Sequence, residues 1–194
     1  MRRLVAFALV AFLLGDAAAF AGPYEDAIAA ARRADYGTAA QLWKQLADNG
    51  MAEAQNNLGS LYARGAGVKQ DDVEAARLYR AAAEQGLGEA QSNLGYLYEI
   101  GAGVPKDLGA ALMWYRRGAE QDNTNAQVNL AAMYYRGKGV TKDLTLAYMW
   151  VSLAAAKGDA EAIRNRGLMA AQMTPAQLAE GQRLTRDWKP TPPR

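Results

Sequence analysis

A run of twenty residues is written twice in this chain: Ala-Glu-Ala-Gln-Asn-Asn-Leu-Gly-Ser-Leu-Tyr-Ala-Arg-Gly-Ala-Gly-Val-Lys-Gln-Asp begins at Ala52, and 36 residues later Gly-Glu-Ala-Gln-Ser-Asn-Leu-Gly-Tyr-Leu-Tyr-Glu-Ile-Gly-Ala-Gly-Val-Pro-Lys-Asp begins at Gly88. Over the full 36-residue unit, copies 52–87 and 88–123 agree at 19 positions, and a looser third copy covers 124–159. A constant interval of this length constrains the fold more than any other feature. One such unit cannot bury its own apolar face and must stack on its neighbours.

Each unit divides into two amphipathic halves. In the first, Ala54, Leu58, Leu61 and Tyr62, then Ala90, Leu94, Leu97 and Tyr98, fall on one helical face. Gly65, Gly101 and Gly137 follow, where a helix C-terminus favours a residue that tolerates positive φ. The second half opens at Asp71, Asp107 and Asp143, each suited to an N-cap, and Glu74 is placed to complete a capping box with Asp71. Apolar positions Ala75, Leu78, Tyr79 and Ala83, repeated as Ala111, Trp114, Tyr115 and Ala119 and as Ala147, Trp150, Val151 and Ala155, predict a second helix. It closes at Gly86, Asp122 or Gly158.

The pattern weakens towards both ends. Ala39, Ala40, Leu42, Trp43 and Ala47 copy the second-helix face one period early, behind a cap at Asp35, and Tyr24 to Ala34 supplies the helix before them. Downstream, Ala160 to Ala171 copies the first helix with Arg166 for leucine and Ala170 for tyrosine. Thr174-Pro175-Ala176-Gln177 then combines an N-cap, a proline at the first helical position and a capping-box glutamine, and starts a last helix through about Trp188. The units are therefore a degenerate N-terminal repeat (22–51), repeats 52–87, 88–123 and 124–159, a C-terminal degenerate repeat with its capping helix (160–188) and a frayed tail (189–194). Small residues at Ala54, Ala90, Ala126, Gly59, Gly95 and Ala131 allow helices to approach, with Tyr62, Tyr98 and Tyr134 filling the space beside them. The fold class is all-α, a solenoid of stacked antiparallel helix pairs.

Upstream of the repeats, Arg2 and Arg3 precede an apolar run from Leu4 to Leu14, and Ala19-Phe20-Ala21 offers a small-residue cleavage site. The run is shorter than the roughly 20 residues of a spanning helix. Residues 1–21 are expected to be a secretory signal peptide, cut after Ala21, which places the mature chain in a periplasm or outside the cell. Without Arg2, Arg3 and Asp16 the chain keeps 20 basic and 19 acidic side chains, a net charge of +1, with the two signs mixed throughout. No concentrated basic face indicates a nucleic-acid partner. The absence of cysteine excludes disulfides and a lipid-modified cysteine, and with no histidine the usual metal sites and His-based triads cannot be assembled.

The motif Ala-x-x-x-Leu-Gly-x-Leu-Tyr-x-x-Gly-x-Gly-Val-x-x-Asp-x-x-x-Ala, followed by Trp-Tyr and Ala, closely resembles the Sel-like repeat, a relative of the tetratricopeptide repeat. The resemblance covers Tyr24 to Asp159, and the segment to Trp188 resembles the closing region of secreted bacterial members; Ala131 departs from the motif, which has glycine. It implies right-handed superhelical stacking and an adaptor role, with a protein or peptide held in a concave groove lined by the first helix of each pair. Carried over, the groove positions are Glu53, Asn56, Asn57, Ser60 and Ala63; Glu89, Ser92, Asn93, Tyr96 and Glu99; and Asn125, Val128, Asn129, Ala132 and Tyr135. Asn57, Asn93, Asn129 and Asn165 recur one period apart. Their amides either meet a peptide backbone or tie neighbouring helices together. Tyr96 and Tyr135 stand at variable positions and are the expected aromatic anchors.

Other activities compete with that reading. Cysteine-rich members of the family are reported to bind β-lactams, which raises a cell-wall enzyme or β-lactam-binding protein, but no serine here has lysine three places on. A glycan or peptidoglycan binder would use Tyr96, Tyr135 and Trp43 as stacking surfaces. The Gly65-Ala66-Gly67 loop and its copies lack the context of a phosphate-binding loop. The expectation is a monomeric, non-enzymatic interaction module with no cofactor, no metal, no catalytic residue and no membrane span after cleavage.

Overall fold

The computed structural model describes residues 22–191. The expected signal segment and the end of the tail lie outside these residues. The described chain forms ten helices: α1 (Pro23–Arg32), α2 (Tyr36–Asp48), α3 (Ala52–Arg64), α4 (Asp72–Glu84), α5 (Gly88–Ile100), α6 (Leu108–Glu120), α7 (Thr124–Arg136), α8 (Leu144–Ala156), α9 (Ala160–Ala170) and α10 (Pro175–Asp187). α1 packs on α2, α3 on α4, α5 on α6 and α7 on α8, and each even-numbered helix packs on the odd-numbered helix that follows it. The protein is an all-α solenoid whose odd helices form one wall and whose helices α2, α4, α6 and α8 form the other.

Local chemistry explains where the helices begin and end. Asp35, Asp107 and Asp143 each accept from the backbone N–H three residues on, at 3.2, 2.9 and 2.9 Å, and Asp71 accepts from Val73 and Glu74, both at 3.0 Å. The capping box expected at Asp71 is not formed. The Asp71 N–H already donates to the Tyr62 carbonyl, so it has no use for Glu74, which takes a two-pronged bond from Arg77 instead. The box at Thr174 and Gln177 is complete. Gly101 ends α5 at φ 80°, a left-handed turn. Two residues on, Gly103 lies so close to the Asp72 backbone, at the start of α4, that a Cβ would collide with it. The loop of one repeat is thereby seated on the second helix of the repeat before.

Ala54, Ala90 and Ala126 on the odd helices, and Ala75, Ala111 and Ala147 on the even ones, are completely enclosed, which fixes the closest approaches in the stack. The rings that occupy the space beside the small residues are not those expected. The even-helix residues Tyr79 and Tyr115 lie on Gly59 and Gly95, where a Cβ would stand 3.0 and 2.8 Å from the ring. Tyr98 and Tyr134 instead hold their hydroxyls against Arg80 and Arg116, each accepting a 2.6 Å bond.

The C-terminal end departs from the repeat. α8 is apolar around most of its circumference because α7, α9 and α10 all cover it. α10 does not pair with α9 as a second helix would; it lies along α8, with Gly181 against Tyr148 and Trp188 edge-on to Trp150 at 6.1 Å between ring centres. Beyond it the chain runs back, and the Thr191 N–H donates to the Glu120 carbonyl at the end of α6 at 2.7 Å. The tail expected to be frayed is thus tied down as far as Thr191.

Candidate functional site

Two sets of polar side chains recur through the stack, and only one was singled out from sequence. Gln55, Gln91 and Gln127 are buried and donate to the carbonyls of Ala47, Ala83 and Ala119, the last turn of the preceding even helix, at 3.3, 3.1 and 3.4 Å. The oxygens of Gln55 and Gln91 accept in turn from Gln85 and Gln121, both at 2.8 Å, and Lys157 plays that part for Gln127 at 3.4 Å. This ladder satisfies carbonyls that a helix end leaves open. Its signal was the invariance of glutamine at the fourth position of each copy.

The asparagine ladder divides. Asn57 donates to the Tyr24 hydroxyl at 3.2 Å, and Asn93 donates to the Asn56 oxygen, 37 positions back, at 2.9 Å. These amides tie neighbouring helices. The acceptor position then changes from Asn56 to Ser92 and to Val128, a shorter and then an apolar side chain. Among the described residues, no hydrogen bond is made by the amides of Asn129 or Asn165. Both face hollows in the odd-helix wall.

Other groove positions sort the same way. Asn56, expected to face the groove, is only 2% exposed and belongs to the stack, as does buried Ser92. Ser60 lies half-buried beside the Tyr79 hydroxyl. Glu99 is also withdrawn: its carboxylate accepts from the Tyr115 hydroxyl at 2.8 Å and from the Lys138 ammonium at 2.6 Å. Burial alone would raise the Glu99 pKa, but the bonds from Lys138 and Tyr115 and the charge of Lys138 outweigh it and hold the carboxyl below its ordinary range. Burial and the adjacent carboxylate push the Tyr115 phenol far up, so it remains a donor. Tyr135 is half-buried, exchanges hydrogen bonds with Gln172 and carries Lys142 5.5 Å above its ring. Trp43 is 6% exposed in the N-terminal core and presents no stacking surface. Glu53, Glu89 and Asn125 are exposed, and Tyr96 is 52% exposed.

The third repeat breaks the ring-on-glycine arrangement at both partners. Where repeats one and two have Gly59 with Tyr79 and Gly95 with Tyr115, the third has Ala131 with Val151. The exchange is sterically consistent, since a methyl at this position would collide with a tyrosine ring and takes up only a small part of the space the ring would fill. In the first two repeats the ring ends beneath the odd-helix wall, with its hydroxyl beside Ser60 or bonded to Glu99. In the third, a hollow of about 250 Å³ opens there, with Val151 and Met169 deep in it and Leu168, 64% exposed, at its mouth. A second hollow, of about 270 Å³, adjoins it between α5, α7 and α9 and shares Val128, Asn129 and Glu161. Sequence reasoning missed Val151, Leu168 and Met169 as wall residues, although the departure at Ala131 pointed to this place.

A stack of two-helix units whose odd-helix wall carries hollows and unpaired amides defines the chain as a repeat scaffold. More particularly, it belongs to the Sel1 repeat family: the family model for the Sel1 repeat matches residues 52–87, 88–123 and 124–159. Among solved structures, the chain is similar to a protective antigen present in uropathogenic Escherichia coli strains that displays an SLR fold. The two are 31% identical with a TM-score of 0.80, over 86% of this chain and 37% of the antigen. It is also similar to a Sel1 repeat protein from Oxalobacter formigenes, 34% identical with a TM-score of 0.69, over 75% of this chain and 60% of that one. The chain thus spans little more than a third of the first relative and less than two thirds of the second. A comparison with curated protein sequences finds no match. Among the described residues no helix is long and apolar enough to cross a membrane.

Proposed function

We propose that this chain is a non-enzymatic scaffold of the bacterial cell envelope that holds a protein or peptide along its odd-helix wall. The observation that carries the reading is the contrast along that wall. Asn57 and Asn93 are consumed by the stack, whereas Asn129, Asn165, Tyr96 and Leu168 keep free polar or apolar surface beside two hollows. Exposed aromatic and apolar side chains around desolvated hollows are the usual anchors of an interface. The chain's own chemistry supports a binding role over a catalytic one, since it has no histidine, no cysteine and no Ser-x-x-Lys. The envelope location rests on Arg2, Arg3, the Leu4 to Leu14 run and Ala19-Phe20-Ala21.

The test uses the mature chain as bait in an envelope extract, beside Tyr96→Ala/Leu168→Glu on the odd-helix wall and Met113→Glu on exposed α6. A partner held by the wild type and by Met113→Glu but lost from the double variant is the expected result. Equal loss from both variants, or from neither, contradicts it. Intact mass of the protein recovered from the periplasm should begin at Gly22. Incubation with a reporter penicillin should leave that mass unchanged, and a covalent adduct or turnover would replace the scaffold reading with an enzymatic one.

A further inference from the structure

Resting on that reading, we infer that the Ala131–Val151 hollow takes a large apolar side chain, phenylalanine or leucine, from an extended peptide whose residue two places along is basic. The argument begins with what the solenoid does elsewhere. Repeats one and two each place a tyrosine ring of their own beneath the odd-helix wall, on Gly59 and Gly95. Repeat three has the same backbone pairing of odd and even helices, yet it withdraws the ring and leaves a hollow floored by Val151 and Met169. A side chain supplied from outside would stand where the other repeats stand their own ring. Leu168, exposed at the mouth of that hollow, is placed to cover it.

The neighbouring hollow fixes the second half of the specificity. Asp159 and Glu161 line it together with Asn93, Tyr96, Asn125 and Asn129, and among the described residues no cationic side chain lines it, Arg136 lying in the adjoining hollow. The Asp159 carboxylate is committed to the Ala162 N–H on one oxygen, at 2.7 Å, and Glu161 makes no ion pair among the described residues. A lysine or arginine there would meet both carboxylates while its stem lay on Tyr96. Because the two hollows share Val128, Asn129 and Glu161, one extended chain can fill both, and the Asn129 and Asn165 amides lie alongside to bond its backbone. Residues two apart in an extended segment project to the same side, about 7 Å from each other, which suits two adjoining subsites on one wall.

The experiment titrates the mature protein, labelled at its backbone amides and at the methyl groups of methionine, valine and alanine, with capped Ser-Phe-Gly-Lys-Ser. Peptides with alanine for phenylalanine or glutamate for lysine run beside it. The Phe-Gly-Lys peptide should shift the Met169, Val151 and Ala131 methyl signals, and either replacement should weaken binding about tenfold. The variant Ala131→Gly/Val151→Tyr rebuilds the arrangement of the first two repeats and should fold but lose the response. Leu168→Glu, at an exposed position, guards against a folding failure and should weaken binding by a similar factor. Shifts confined to Asn93 and Tyr96 that survive Ala131→Gly/Val151→Tyr would overturn the subsite and leave the wall reading standing. No shift with any peptide at millimolar concentration would overturn the subsite, and the bait experiment then decides the wall reading separately.

Discussion

At the scale of single residues, the side chains that hold the repeats together are polar and buried, and each has a defined pair of partners. Gln91 donates to Ala83 and accepts from Gln121, so Gln91→Leu leaves a carbonyl and an amide without partners inside the stack. Losing such bonds costs about 1–3 kcal/mol, which urea unfolding would register, whereas Gln85→Leu at the exposed end of the previous rung should cost far less. Tyr96→Ala should weaken partner capture while leaving the thermal midpoint nearly unchanged, because the ring is half in solvent. A collapsed midpoint would assign Tyr96 to the core. Glu99 makes a prediction about acid. Its folded pKa is held below the ordinary value, so its stabilisation is present above the unfolded pKa of about 4.3 and is lost as pH falls through the folded one. The midpoint gap between wild type and Glu99→Gln should therefore be constant above about pH 5.5 and shrink in acid. A gap that ignores pH would mean the ion pair with Lys138 contributes nothing.

At the scale of helices, the interval between copies matters less than the pairing across each helix pair. Gly95→Ala alone drives a methyl to 2.8 Å from the Tyr115 ring and should destabilise the second repeat, and Tyr115→Val alone leaves a void. Together they reproduce the third repeat. A double-mutant cycle should show a favourable coupling of about 0.5–3 kcal/mol, and simple additivity would break the link drawn between Ala131 and Val151. The closing helix obeys the same logic. α8 carries apolar surface on the side where another repeat would stack, and α10 covers it through Trp188 and Gly181. Trp188→Ala should lower stability by about 1–3 kcal/mol and promote self-association, measurable by unfolding and sedimentation.

At the scale of the molecule, much was legible before coordinates because repetition makes the sequence its own comparison. Helix boundaries followed from Asp and Gly positions that recur with the period, and the whole stack followed from one unit. Legibility ended where side chains choose among partners. Nothing in the spacing shows that Asn93 finds Asn56 while Asn129 finds nothing, since that depends on the residue 37 positions back lying opposite in space. Nor does it show that Glu74 turns to Arg77, or that the ring on Gly95 comes from Tyr115 and not Tyr98. The candidate site lies where the copies stop agreeing, at Ala131, Val151 and Leu168, and departures of this kind have no template within the chain. The central claim, that the odd-helix wall of the C-terminal half is the working surface, can be tested by hydrogen exchange on the complex with the captured partner. The account predicts that added protection falls on α5, α7 and α9 and spares α4, α6 and α10. Protection concentrated on the even helices or on α10 would contradict it.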